Sequence, residues 1–163
     1  MKNSNNIYVK DVTQRIFENL TELQSAVGEE LGITDWLVID QERMNCFAEV
    51  TGDHQWIHVD PEKSKAGPFG GTIASGYLTL SLIPHWVEQT FKVRGISGVL
   101  SYGLNKVRFT SPVPVGSRLC ASITLSAFDD VPGGGQVTLT VIVKAEGQSK
   151  PVCVATVLMR FFI

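Results

Sequence analysis

The chain has 163 residues, 44% of them hydrophobic and 18% charged. That balance excludes a disordered or low-complexity chain and suits one domain with a core of its own. Fourteen Lys and Arg against sixteen Asp and Glu give a net charge of -2, so no broad positive field exists to hold nucleic acid or an anionic membrane.

Residues 1–30 read as an N-terminal helical extension of a single domain that runs from 1 to 163. Within it Thr21-x-x-Gln24 has the form of a capping box. Leu23, Val27 and Leu31 follow at helical spacing, and Gly32 ends the helix. Trp36 to Ile39 is a short apolar strand. Asp40 caps the next helix, whose stripe is Met44, Phe47 and Ala48 and whose stop is Gly52. Polar residues 51–60 should form a loop, and Asp60-Pro61 starts another helix. After a glycine-rich loop at 67–71, the apolar stretch from Gly76 to Phe91 predicts a long helix buried all round. Pro84 should kink that helix or restart it.

Beyond Gly98 the pattern turns to strands. Leu119, Ala121, Ile123, Leu125 and Ala127 alternate with smaller or polar residues, and Val137, Leu139, Val141 and Val143 repeat the rhythm. Val152 to Ile163 is apolar on both faces, and glycines 133–135 and 147 mark turns. The expected architecture is α+β: an antiparallel meander curved around one long helix.

Cys46, Cys120 and Cys153 fit no metal knuckle and no disulfide framework, and their apolar surroundings suggest core packing in a reducing cytoplasm. The N-terminus is too polar for a secretory signal, and no run reaches the roughly 18 apolar residues of a membrane span.

The densest polar cluster is Thr51 to Asp60. Asp53 and His58 stand five apart after the Gly52 stop, a spacing that lets a carboxylate and an imidazole hold one water and remove its proton. The plainer alternative is that Asp53 caps a turn and His58 is structural. A metal site built on His54 and His58, with Asp53, Asp60 or His85, needs a helix that Gly52 and Asp60-Pro61 argue against, and His-Glu-x-x-His is absent. Ser75-Gly76 opens the apolar helix. Gly76 has no Cβ, so a substrate carbonyl can approach its amide, and a helix start favours developing negative charge. Ser75 and Gly76 also suit a cap and close packing, and those roles are compatible with the chemical one. The glycines at 67–71 form no phosphate-binding motif, and Lys92, Arg94, Lys106 and Arg108 read as solvated charges before they read as phosphate ligands.

The run Gly52-Asp53-His54-Gln55-Trp56-Ile57-His58-Val59-Asp60-Pro61, followed by Thr72-Ile73-Ala74-Ser75-Gly76-Tyr77, resembles the MaoC-like hydratase group. With Tyr102 to Phe109 downstream it looks closer to the nodulation-protein-N-like branch. The resemblance runs from about residue 30 to the C-terminus. It implies a hotdog fold, a homodimer, and (R)-specific hydration of trans-2-enoyl-CoA without metal or cofactor. Carried over, Asp53 and His58 activate the water and the Gly76 amide receives the thioester carbonyl, while Gln55, Ser75, Tyr77 and Asn105 contact substrate. Four positions depart from the common pattern: Gln55 replaces Asn, Trp56 replaces Pro, and Ser75 replaces His. Pro84 stands where a serine can support the catalytic Asp, with Ser81 one turn earlier as a possible substitute. A hotdog acyl-CoA thioesterase and a non-catalytic acyl-thioester binding module are the rival readings.

Overall fold

The structure, a computed structural model, describes residues 13–163, so the first twelve residues of the expected N-terminal helical extension lie outside the described residues. The described part of that extension is not one helix. Arg15–Phe17 forms strand β1 and Leu20–Ser25 forms helix α1. Asn19, not Thr21, caps α1, its side chain accepting the Glu22 N–H at 2.9 Å. Leu31 and Gly32, expected to close a helix, lie in strand β2, Glu30–Ile33. The reason is remote in sequence: β2 pairs antiparallel with residues 122–124, and the Gly28 N–H donates to Leu125 O at 2.7 Å. A continuous ladder outweighs a short helix with little intrinsic stability.

The next elements follow the local signals closely. Strand β3 is Leu37–Val38, and helix α2 is Gln41–Thr51 with Asp40 accepting the Arg43 N–H at 2.8 Å. Gly52 ends α2 in the left-handed region at φ 73°, where other residues are strained. The expected loop at 51–60 instead contains one helical turn, α3, Trp56–Val59. Helix α4, Pro61–Lys65, starts on the Asp60 cap with Pro61 in its first turn. The central helix is two pieces, α5, Gly76–Ser81, and α6, Ile83–Thr90, with Pro84 at the start of the second. It is not buried all round: Trp86, Ile83 and Val87 are buried, whereas Tyr77, Ser81, Pro84, His85 and Glu88 face out.

Strand β4, Phe91–Val93, pairs parallel with β1. Strands β5, Gly98–Phe109, β6, Arg118–Val131, β7, Gly134–Ala145, and β8, Cys153–Phe162, build the main sheet. Its order is β2-β6-β7-β8-β5, with β3 also pairing with β6. The meander therefore covers β6 to β8, and β5 crosses over to become an edge. The two faces of β8 are not equally buried: Cys153, Ala155, Val157, Met159 and Phe161 are buried on one face, and the residues between them are half-exposed on the other. In β6 the register slips between Leu125 and Ala127, so Ser126 is an extra residue. Phe128, not Ala127, then turns to the core side, where it packs against the core cluster.

The sheet's inner face and the buried sides of α5 and α6 form one core that runs from Phe17 to Phe161. Each fully buried Leu, Ile, Val or Phe stabilises it by about 1.5–3 kcal/mol. A curved antiparallel sheet around a central, here broken, helix is the hotdog arrangement. No helix among the described residues is long and apolar enough to cross a membrane.

Candidate active site

Three capped elements fix the site. Gly52 turns the chain out of α2, its N–H donating to Ala48 O at 2.8 Å. Asp53 to Gln55 then lead into the single turn of α3, closed by the His58 N–H on Gln55 O at 2.9 Å. Asp60 Oδ1 accepts the Lys63 N–H at 2.9 Å and starts α4. The buried Ser64 hydroxyl donates back to Trp56 O at 3.1 Å, which ties α4 to α3. His58 is thereby clamped between two well-capped helices.

The imidazole of His58 is 8% exposed and sits 2.6 Å from Ile73 O through Nδ1. A backbone carbonyl can only accept, so this contact assigns the ring proton to Nδ1. Nε2 is left with its lone pair, and it lies 4.0 Å from Asp53 Oδ2. That distance is too long for a direct hydrogen bond. Two acceptors held this far apart match one molecule that donates to both, and a water carries two such hydrogens.

Asp53 and His58 border two separate cavities, the first lined by Ser75 and the second by the adjacent Gly76. The Asp53 cavity, about 370 Å³, is walled by Phe47, Ser75, Tyr77, Leu80 and Ser81. The His58 cavity, about 300 Å³, is walled by Ile73, Gly76, Thr79 and Phe109, with Phe69 at its edge. Among the described residues the Gly76 amide, first in α5, donates to no backbone carbonyl. The space where a Cβ would stand on Gly76 is already occupied: that atom would lie 2.7 Å from Phe109 Cδ2 and 2.8 Å from Cγ. Close packing by an aromatic ring, not only access for a substrate carbonyl, requires glycine here. Tyr77 packs edge-on against the same ring, with centroids 5.9 Å apart.

The remaining sequence candidates fall in different places. Ser75 is buried beside Asp53 but caps nothing with its side chain. Tyr77 is exposed at the mouth of the Asp53 cavity. Gln55 and Asn105 are exposed and border neither cavity, Asn105 lying in a register slip of β5. Ser81 shares the cavity with Asp53, yet its hydroxyl donates to Leu78 O at 2.8 Å in its own helix. His54 faces Glu49 and His85 faces Gln89, and among the described residues no group of three His, Cys, Asp or Glu is placed to hold a metal. Arg94 is paired with Glu18 at 2.8 Å. Cys120 and Cys153 are buried in the sheet, but Cys46 is exposed on α2, outside the Met44 and Ala48 stripe. Burial pushes the Cys153 thiol up to about 11 and also raises that of Cys120.

Sequence reasoning missed Ile73 and Phe109 as members of the site. Ile73 acts through a carbonyl, which no side-chain pattern reveals. Phe109 arrives from an edge strand more than thirty residues away.

The pattern of a family described as a MaoC like domain matches residues 22–147. A 3-hydroxyacyl-thioester dehydratase Z from Mycobacterium tuberculosis (strain ATCC 25618 / H37Rv) is 50% identical over 148 residues, covering 90% of this chain and 98% of that protein. Nodulation protein N of Rhizobium leguminosarum bv. viciae is 40% identical over 141 residues, 84% and 87% of the two chains. An unliganded (R)-hydratase structure from Pseudomonas aeruginosa aligns over 83% of this chain and 81% of its own, with a TM-score of 0.68 at 23% identity, a likeness of fold.

Proposed function

Since the chain belongs to the MaoC-like domain family, we propose that it is a hydro-lyase acting on acyl thioesters, adding water to trans-2-enoyl-CoA to give (R)-3-hydroxyacyl-CoA and catalysing the reverse dehydration. The observation that carries this reading is the pair of acceptors, Asp53 Oδ2 and His58 Nε2, 4.0 Å apart, with the imidazole lining the same cavity as Gly76. The 50% identity to a 3-hydroxyacyl-thioester dehydratase supports the same reaction class.

In this mechanism one water donates a hydrogen to Asp53 and the other to His58 Nε2. The water oxygen bonds to the β-carbon as Nε2 takes its proton, and the electron pair of the double bond moves toward the thioester oxygen. The Gly76 amide receives that developing enolate. The imidazolium then returns the proton to the α-carbon, which restores the base. Asp53 fixes the direction of attack and never needs to change charge. Ser75 and Tyr77 flank the substrate from the Asp53 side.

We further propose that the working unit is a homodimer joined along β5. This strand is an unpaired sheet edge, and it exposes Val99, Leu100, Tyr102, Leu104 and Phe109. Long apolar edges are normally covered, and pairing with a second copy covers this one.

The test is the loss of enoyl-thioester absorbance with crotonyl-CoA, with chiral analysis of the product and a thiol trap for released CoA. Asp53→Asn and His58→Ala should each lower kcat by about 10²–10⁴ while leaving the circular dichroism spectrum unchanged. Wild-type rates in either variant, or release of free thiol in place of hydration, would overturn the assignment.

A further inference from the structure

Gln41 is the first residue of α2, and its side chain crosses to the segment that holds His58. Its Nε2 donates to His58 O at 2.8 Å and to Asn45 Oδ1 at 2.9 Å. Its Oε1 accepts the Thr72 hydroxyl at 2.6 Å, and Thr72 is only 1% exposed. The orientation of the amide is not arbitrary. The His58 carbonyl can only accept, so the nitrogen must face it.

Thr72 precedes Ile73, whose carbonyl takes the His58 ring proton and whose N–H donates to Ile57 O at 3.0 Å. A closed ring results. It runs from the imidazole to Ile73 O, along the chain to Thr72, through the Gln41 amide, and back to the His58 main chain. One end of the ring fixes where the His58 backbone stands. The other fixes the carbonyl that selects its tautomer. Only an amide of this length supplies a donor and an acceptor at those two places together: leucine supplies neither, and glutamate lacks the donor.

We propose that Gln41 is a positioning residue for the base: it sets the His58 backbone against Ile73 O and so keeps Nε2 aimed at Asp53. Gln41 borders neither active-site cavity, so it acts through His58 and not on substrate. The proposal rests on His58 being the general base, and it deepens that reading.

Two measurements on Gln41→Leu test it. The first is the kcat and KM for crotonyl-CoA. The expected result is a fall in kcat of about tenfold to a hundredfold with KM little changed, the size of effect that small misplacements of catalytic groups produce. The second is the nitrogen-15 NMR signature of the His58 ring, in which a protected Nδ1 proton reports the bond to Ile73 O. That signal should weaken or vanish in the variant, which general destabilisation of a still-folded protein does not cause. Retention of both the wild-type kcat and the wild-type ring signal would overturn the proposal. Should Gln41→Leu fail to fold, Gln41→Glu keeps the volume and the bond from Thr72 and replaces the donor by a charged oxygen that repels His58 O, with the same results expected. The two readings fail separately: a wild-type protein without hydratase activity refutes the function, whereas the ring signal still decides whether Gln41 holds His58.

Discussion

Replacing Gly76 by alanine separates packing from chemistry at the start of α5. The new methyl would stand 2.7–2.9 Å from three atoms of the Phe109 ring, closer than real contacts allow. Overpacking of this kind costs about 1–3 kcal/mol. Phe109 is 44% exposed and can retreat toward solvent, which places the cost at the lower end. Alanine also regains part of the roughly 1 kcal/mol by which glycine disfavours a helix. The net expectation is a loss of about 1 kcal/mol in the wild-type background. In Phe109→Ala the obstruction is gone, so the same substitution should be neutral or slightly stabilising. Urea midpoints at constant slope and one protein concentration give both values, and their difference is a coupling of about 1–2 kcal/mol. An equal cost of Gly76→Ala in both backgrounds would refute the account, because the ring would then not be the obstacle. Turnover adds a second reading. Alanine keeps the N–H, so hydratase activity that recovers along with stability in the double variant points to the ring, and activity that stays low points to crowding of the thioester.

Three other outcomes follow from exposure and burial. Leu104→Lys puts a charge on the open β5 edge and should shift the sedimentation mass from dimer to monomer. An unchanged mass would move the interface elsewhere. Cys46 alone of the three cysteines should react with a thiol reagent in native protein, and all three in urea; rapid native labelling of Cys153 would contradict its burial. Because folding raises the Cys153 pKa from 9.0 to about 11, its contribution to stability is intact below pH 9 and is lost as pH climbs to 11. Cys153→Ala should flatten that part of the alkaline unfolding curve.

Much of the architecture was written in short-range chemistry. Asp40, Gly52, Asp60-Pro61 and Pro84 each act on the few residues around them, and each ends or starts an element through its own hydrogen bonding or backbone geometry. The alternation in β6 and β7 was legible because one face of a half-buried sheet must be apolar. The failures share a different cause. Leu31 and Gly32 take their conformation from β6, about ninety residues away. The slip at Ser126 depends on what β7 offers opposite. The exposure of Tyr77 and Cys46 depends on which side of each helix the sheet covers. At the candidate site, the spacing of Asp53 and His58 was readable. The tautomer of His58 was not, because it is set by Ile73 O, a group every residue possesses.

The extra residue in β6 has a bearing on how this strand can change length. Before Ser126 the odd-numbered positions point inward, and after it the even-numbered ones do. Dropping Ser126 itself would merge the two halves into one regular run and leave Phe128 over Gly135, where its ring now rests. Dropping any neighbour on the inner side, such as Ile123, would instead turn a hydrophobic residue out to water and a hydroxyl in. Deletions in this strand are therefore tolerable at a single site, and relatives that lose one residue from β6 without losing the fold should have lost it there.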